Sequence, residues 1–447
     1  MIDPADIETL RNSLHTLAKG FADLPDFSPE VNRDAMDDIL HEVAEKMQEN
    51  FPYHHPLYAG QMLKPPHPVA RLAYAMSLWL NPNNHALDGG IASSAMEKEC
   101  IAALGSMFGW DDLLGHICGG GTMANLEALW VAGSIHPGKK IVASEQSHYT
   151  HGRISEVLSL EYDKTAVSAD GRMALESLQQ LLSQGDVGTV VVTLGTTGLG
   201  AVDPLSEILD LREEYAFRIH VDAAYGGYFR IASELDTDAR QAFDRIHEVD
   251  SIVIDPHKHG LQPYGCGCIL YRDPGVGSLY KHDSPYTYFS SDDLHLGEIS
   301  LECSRAGAAA VALWATQKLL PMNPGGEFAQ SMDNCLLAAR ELWDRLSASD
   351  QYIPLMRPEL DIVVYAANAD NVAASTNKAK QVFTRAAEKN LHLALIELPT
   401  DMVRHYWPEL NGDEEMITCL RSCLMKPEHL DWIDQIEAIL IQSAQHA

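Results

Sequence analysis

The sequence predicts an α/β protein: a large domain on a mostly parallel sheet, followed by a smaller α+β domain at the C-terminal end. Three observations carry this. From about Gly90 to Tyr271, short apolar, β-branched runs alternate with helical stretches, the rhythm of strands buried on both faces and joined by helical crossovers. The run Pro321-Met322-Asn323-Pro324-Gly325-Gly326 breaks that rhythm and marks a boundary. The 447 residues, 46% hydrophobic and 21% charged, are enough for about two to four domains, each with its own core.

Residues 1–80 read as a helical N-terminal arm, with Asp34 to Met47 at amphipathic spacing. The Pro/His-rich stretches Phe51-Pro52-Tyr53-His54-His55-Pro56 and Lys64-Pro65-Pro66-His67-Pro68 are expected to be extended, because proline cannot continue a regular helix. The large domain is expected over 81–322. Its strand candidates are Ile141 to Ala143, Thr189 to Leu194, Arg218 to Val221, Ser251 to Ile254 and Cys268 to Tyr271. Ala306 to Ala315 is apolar and ends at Thr316-Gln317-Lys318, so it is a buried helix too short to span a bilayer. The small domain, 323–447, is expected to hold a helix from Glu327 to Leu346, strands from Asp361 to Ala366 and Leu391 to Leu398, and a terminal helix from Pro427 to Gln442.

Charge narrows the function. There are 32 Lys+Arg against 63 Asp+Glu, a formal net charge of −31. Such a surface repels nucleic-acid phosphates and anionic lipid headgroups, so neither nucleic acid nor membrane is expected as a partner. The eight cysteines are scattered. The closest pairs, Cys266/Cys268 and Cys419/Cys423, have no second pair at zinc-site spacing. Adjacent His54 and His55 on an extended arm point opposite ways, so no metal is expected. Reduced thiols, and a start at Met1-Ile2-Asp3-Pro4 without a basic stretch and apolar run, lead us to expect a cytoplasmic protein.

Ligands of such sheets sit beyond the carboxyl ends of the strands, and four strand ends carry unusual residues. Gly119-Gly120-Gly121-Thr122 runs into the helical Met123 to Trp130, a pattern that aims backbone N–H groups and a helix dipole at an anion. No Lys-Ser/Thr follows, so this is not a nucleotide-triphosphate loop. Gly195-Thr196-Thr197-Gly198-Leu199-Gly200 follows the second run, with its glycines in the reverse of the dinucleotide order. Asp222, in His220-Val221-Asp222-Ala223-Ala224, ends an apolar strand and needs a cation. Lys258, in Asp255-Pro256-His257-Lys258, lies in a low-dielectric neighbourhood that favours a nucleophilic amine. An anion cup, a buried Asp and a buried Lys together meet the needs of pyridoxal 5'-phosphate, which takes a lysine attachment, a carboxylate for its ring nitrogen and a phosphate site. His148, in Ser147-His148-Tyr149, offers a flat group against the ring.

On these stretches the sequence resembles the fold-type I pyridoxal phosphate enzymes, specifically the group II amino-acid decarboxylases. It looks most like the bacterial tyrosine decarboxylases and the archaeal tyrosine/aspartate decarboxylases. Asn81-Pro82-Asn83-Asn84, Gly115-His116-Ile117, Gly121 to Glu127, His148-Tyr149-Thr150, Val221 to Ala224, Ile254 to Lys258 and Ser304 to Ala308 carry the likeness. The resemblance implies a large domain with a mostly parallel seven-stranded sheet and a homodimer with composite active sites. It also implies an activity: decarboxylation of a small-molecule L-amino-acid substrate to its amine, with tyrosine or another aromatic favoured.

Carried over residue by residue, the resemblance makes Lys258 the Schiff-base lysine and Asp222 the partner of the ring nitrogen. His148 stacks on one face of the ring, with Ala224 against the other. Gly120, Gly121, Thr122 and His257 hold the phosphate, and Thr196 sits near the ring oxygen. Tyr286 or Tyr288, in Ser284-Pro285-Tyr286-Thr287-Tyr288, returns the proton to Cα, with Tyr286 favoured. Tyr58, Gln61 and His85 are the expected substrate contacts, with Gln61 standing where the bacterial tyrosine enzymes carry a His. Two other readings keep the fold: a carbon–carbon lyase acting on an amino alcohol phosphate, which would need a further basic pocket around Arg153 and Arg305, and a non-catalytic homologue.

Overall fold

A computed structural model describes residues 3–281 and 295–445. The large sheet has seven strands: β1 (Leu114–Cys118), β2 (Lys140–Ser144), β3 (Tyr162–Thr165), β4 (Val187–Thr193), β5 (Arg218–Asp222), β6 (Ser251–Ile254) and β7 (Gly267–Tyr271). Their order is β1-β7-β6-β5-β4-β2-β3. β3, β2, β4, β5 and β6 run parallel, and β7 is antiparallel to both β6 and β1. The last point departs from a uniform crossover pattern. Only a helix-free loop joins β6 to β7, too little chain to carry a strand back to the same end.

β4 is buried along its whole length, as its run of valines predicts; each buried valine contributes roughly 1.5–3 kcal/mol. The register sets Thr193 beside Asp222 and Asp222 beside Val253. Three strand ends therefore finish level, and the loops that leave them meet over one spot. The apolar helix Gly307–Leu319 buries Ala308, Ala309 and Leu313 and packs on the helices Pro68–Ser77 and Ile91–Phe108.

The second sheet is antiparallel, in the order β10-β11-β9-β8. Its strands are β8 (Tyr352–Pro354), β9 (Ile362–Ala367), β10 (Ala394–Pro399) and β11 (Met416–Cys423). The helices Glu327–Ser347, Val372–Glu388 and His429–Gln445 cover it, and Leu342, Val363, Val382, Leu420 and Ile436 share one core cluster. Leu57 and Ala59 join that cluster. The Ala59 N–H donates to the His392 carbonyl (2.8 Å), and the Ala59 carbonyl accepts from the Cys423 N–H (2.8 Å). The stretch around residue 59 is thus clipped to the small sheet. Ahead of it, the helices Pro4–Lys19 and Arg33–Met47 are capped by Asp3 and Asn32 but bury no residue. Among the described residues no helix is long and apolar enough to cross a membrane, and no metal-binding cluster is present.

Candidate active site

The level strand ends open onto a cavity of about 540 Å³. Gly120, Gly121, Thr122, His148, Asp222, Ala224, His257 and Lys258 all line it, so stretches far apart in sequence converge there. After β1 the chain turns at Gly120, whose φ of +141° suits glycine alone. The helix Gly121–Ile135 then starts without a side-chain cap. Its first N–H groups have no intrahelical acceptor, and Gly121, Thr122 and Met123 form part of the wall. Ahead of the turn, the Gly119 N–H donates to Glu302 Oε2 (3.0 Å).

Asp222 is held by three donors. His151 Nε2 lies 2.9 Å and Asn125 Nδ2 3.3 Å from Oδ2, while the Ala224 N–H donates to Oδ1 (3.1 Å). Burial alone would raise this carboxyl. The hydrogen bond and charge of His151, the charge of Lys258 and the Ala224 N–H override it and hold the group well below the usual carboxylate range. Asp222 is therefore an anion.

Lys258 is not left alone in an apolar surrounding, as the sequence suggests. Its Nζ lies 3.1 Å from Asp255 Oδ2, and its side chain is 22% exposed. The His257 Nδ1–H donates to the Cys266 carbonyl (2.9 Å), and burial holds this imidazole below its ordinary value. His148 Nδ1 lies 2.7 Å from Thr150 Oγ1 and accepts from the Thr150 N–H (3.4 Å), so the neutral ring carries its proton on Nε2. Burial favours that neutral form.

Other expected residues lie off the wall. Thr196 is buried and its hydroxyl accepts from the Ala201 N–H (3.1 Å), which closes its own loop; Gly195 and Thr197 reach the cavity instead. Tyr58, Gln61 and His85 are not among the lining residues. The Tyr58 segment pairs with His392, Gln61 is exposed, and His85 packs against Gly297. The Tyr264 hydroxyl, on the wall, donates to the Met62 carbonyl (3.4 Å), which keeps the Gln61–Met62 segment beside the rim. Tyr286 and Tyr288 lie outside the described residues.

Four further residues of the site carry little or no signal in the sequence. His151 and Asn125 hold Asp222. Thr193 lines the cavity with a buried hydroxyl that has no partner among the described residues. Arg421 on β11 is a buried guanidinium paired with no carboxylate among the described residues; its Nη2 meets Cys423 Sγ (3.3 Å), and the field of Tyr225, a wall residue, reaches it. Sequence offers one signal for it, the one charged residue in the run Met416 to Cys423.

Residues 130–368 match the pyridoxal-dependent decarboxylase conserved domain. The chain belongs to that family. It is 32% identical over 310 residues to the probable L-tyrosine/L-aspartate decarboxylase of Methanothermobacter thermautotrophicus, an alignment covering 68% of this chain and 82% of that one. It is 28% identical to the L-tyrosine decarboxylase of Enterococcus faecium, covering 79% of this chain and 75% of that one. Among solved structures, Oryza sativa TDC with PLP and tryptamine superposes with a TM-score of 0.79 at 17% identity, over 99% of this chain and 100% of that one. That likeness carries the fold.

Membership makes this chain a pyridoxal phosphate-dependent amino-acid decarboxylase, and the cavity fits the cofactor. A Cβ at Gly121 would lie 2.7 Å from Asp255 Oδ2 and one at Gly120 would lie 3.2 Å from the His257 ring, so the cup exists only because both residues are glycine. The Thr193 hydroxyl, anionic Asp222 and the Lys258 amine line the same cavity, so a donor, an anion and an amine face the space a cofactor would take.

Proposed function

We propose that this decarboxylase acts on an L-amino acid with an aromatic side chain, tyrosine foremost. The composition of the wall carries the reading. Met123, Leu126, Tyr225 and Tyr264 offer apolar and aromatic surface, and Lys258 is the one Lys or Arg among the described lining residues. Asp222, Asp255 and Glu302 make the rest of the charge negative. A side-chain carboxylate would meet like charge here, whereas a phenol ring meets rings.

In this proposal Lys258 is the attachment point, Asp222 the partner of the ring nitrogen, and His148 and Ala224 the two faces of the slot. The helix N-terminus at Gly121, with Gly120, Thr122 and His257, holds the phosphate. When bound, the cofactor supplies a protonated ring that takes up the electron pair left as the Cα–carboxylate bond breaks. Asp255, 3.1 Å away, would be the counterion of the Lys258 amine. Arg421, with no acidic partner among the described residues, is suited to the substrate's α-carboxylate. Proton return to Cα is assigned to Tyr286, and Tyr58, Gln61 and His85 are proposed as rim contacts to the side chain.

The lyase alternative needs a free basic pocket. Arg305 is instead spent on Glu97 (3.0 Å) and the Ile117 carbonyl, and Arg153 is exposed beside the Tyr149 ring. We also propose a cytoplasmic homodimer in which residues 1–80 form the dimerisation arm. Ile7, Ile39, Leu40, Val43 and Met47 are exposed on the two N-terminal helices, an apolar area that a second copy would cover.

The test is CO₂ release from tyrosine, DOPA, tryptophan, aspartate, glutamate and 2,4-diaminobutyrate by holoenzyme with visible cofactor absorption. Release from tyrosine above the others is expected, and Lys258→Ala should lose the borohydride-reducible linkage. Release from aspartate with none from any aromatic would overturn the substrate assignment. Sedimentation at dimer mass checks the arm.

A further inference from the structure

The hydrogen bonds behind Asp222 have a fixed direction. Asn125 Nδ2 must donate to the carboxylate, which leaves Asn125 Oδ1 as an acceptor 2.8 Å from His220 Nε2. His220 therefore carries its proton on Nε2. Burial lowers its pKa to about 3, so the ring is neutral and its Nδ1 accepts from the Ser251 hydroxyl (2.8 Å). Ser251 on β6, His220 on β5 and Asn125 on the helix Gly121–Ile135 thus form one chain of donors aimed at Oδ2, each bond polarising the next. His151, on the helix Thr150–Val157, reaches the same oxygen from another side, at the shorter distance of 2.9 Å. It is fully buried and its Nδ1 has no partner, so Asp222 is the sole side chain it hydrogen-bonds among the described residues. With both side-chain donors on Oδ2, Oδ1 accepts only the Ala224 N–H among the described residues and keeps spare acceptor capacity, on a residue that lines the cavity.

We propose that His151 is a positioning residue for the cofactor's ring nitrogen: its Nε2–H fixes Asp222 as an anion and leaves Oδ1 to receive the N–H of that ring. The inference rests on the proposed role of Asp222. A merely structural His151 would tie its helix to the sheet, and its loss would change stability but not the state of the cofactor. A positioning His151 also sets how firmly the ring nitrogen keeps its proton.

His151→Phe keeps a ring and removes the donor, while His151→Gln offers an amide donor at similar reach. Holoenzyme is prepared with pyridoxal phosphate isotopically labelled at the ring nitrogen, whose chemical shift reports protonation directly. Cofactor Kd is measured by equilibrium dialysis. Wild type should show a protonated nitrogen. His151→Phe should shift it toward the unprotonated position and weaken Kd about tenfold, about 1.4 kcal/mol, and His151→Gln should recover most of both. His151→Leu serves the same purpose if the Phe variant does not fold. A donor-free variant with wild-type nitrogen shift and Kd within about twofold overturns the inference alone. A wild-type nitrogen that is not protonated overturns the Asp222 assignment, and this inference with it.

Discussion

Gly121→Ala and Gly119→Ala, two residues apart in one loop, should behave very differently. At Gly121 the new Cβ would lie 2.7 Å from Asp255 Oδ2 and 3.2 Å from its Cγ, so reaching an ordinary contact of 3.4 Å needs a retreat of about 0.7 Å. The carboxylate has nowhere to go. Oδ2 is held by Lys258 Nζ at 3.1 Å, and Oδ1 packs against Gly267, where even a Cβ would lie only 2.8 Å away. Overpacking of this kind costs about 1–3 kcal/mol, against a gain of at most ~1 kcal/mol from alanine in a helix. A net loss of up to about 2 kcal/mol should appear in the urea midpoint of the cofactor-free protein. Displacing the counterion of Lys258 should in addition weaken pyridoxal phosphate binding by roughly tenfold, or 1.4 kcal/mol. At Gly119 the new Cβ meets only Glu302 Oε1, at 3.3 Å, the movable end of a long side chain, so affinity should stay within about threefold. Equilibrium dialysis of both variants decides it. Equal affinities, or a Gly121→Ala protein as stable and as tight as wild type, would refute the crowding argument and with it the reading of this loop as the phosphate cup.

Two further outcomes follow from buried charge. Arg305 and Glu97 pair at 3.0 Å with 7% and 2% of their side chains exposed, so Arg305→Met should destabilise by about 3–5 kcal/mol by stranding the carboxylate. In a double-mutant cycle, Arg305→Met made on a Glu97→Gln background should cost at least about 1 kcal/mol less; strict additivity would show that the pair is not coupled. His429 is pushed down to about 3 by burial and by the neighbouring Lys426 charge. The unfolded chain therefore binds a proton near pH 6.5 that the folded chain refuses, and the stability this site contributes is full above pH 6.5 and lost as pH falls toward 3. Urea midpoints of wild type and His429→Gln should converge on acidification, at up to about 1.4 kcal/mol per pH unit; parallel curves would count against it.

How much of this was legible in the sequence depended on where each signal lay. Asp222 and Lys258 stood out because a charge directly after an apolar strand is costly. The glycines before the helix Gly121–Ile135 stood out because consecutive glycines have few structural uses. β1 was not named as a strand, since Leu-Gly-His-Ile-Cys carries a glycine and a polar residue where β-branched residues are expected. β11 was missed because Thr418, Arg421 and Ser422 interrupt its apolar pattern, although all are buried. His151, Asn125 and His220 could not be read as one unit at all. Each sits unremarkably in its own element, and only the parallel register and the helix packing bring them to Asp222. Tyr58 and Gln61 went to the small-sheet side for a similar reason: the extended arm satisfies its backbone on His392 and Cys423, a partnership that local composition cannot announce.

The two sheets cannot be treated as a rigid site with an appended module, because the lysine loop is gripped from both. His259, next to Lys258, is fully buried between the rings of Tyr225 (4.7 Å) and Phe229 (5.0 Å). Its Nε2 lies 3.3 Å from Asp361 Oδ2, just ahead of β9. The other oxygen of Asp361 accepts from the Tyr225 hydroxyl at 2.6 Å, and Tyr225 itself lines the cavity. Burial raises the Asp361 carboxyl to about 6, with Tyr225 and the charge of Lys64 holding it from going higher. Lys64, from the arm, is buried as well and donates to the Met425 carbonyl (3.0 Å). Around them Leu194 and Leu199, in the loop after β4, share one core with Leu360, ahead of β9, and with Ile362 and Val364 on it. Swinging the small sheet away would part the Asp361 carboxyl from Tyr225 and His259, at several kcal/mol, and open that core as well. The small sheet therefore braces the Lys258 loop from behind, through Asp361 against His259 and Tyr225.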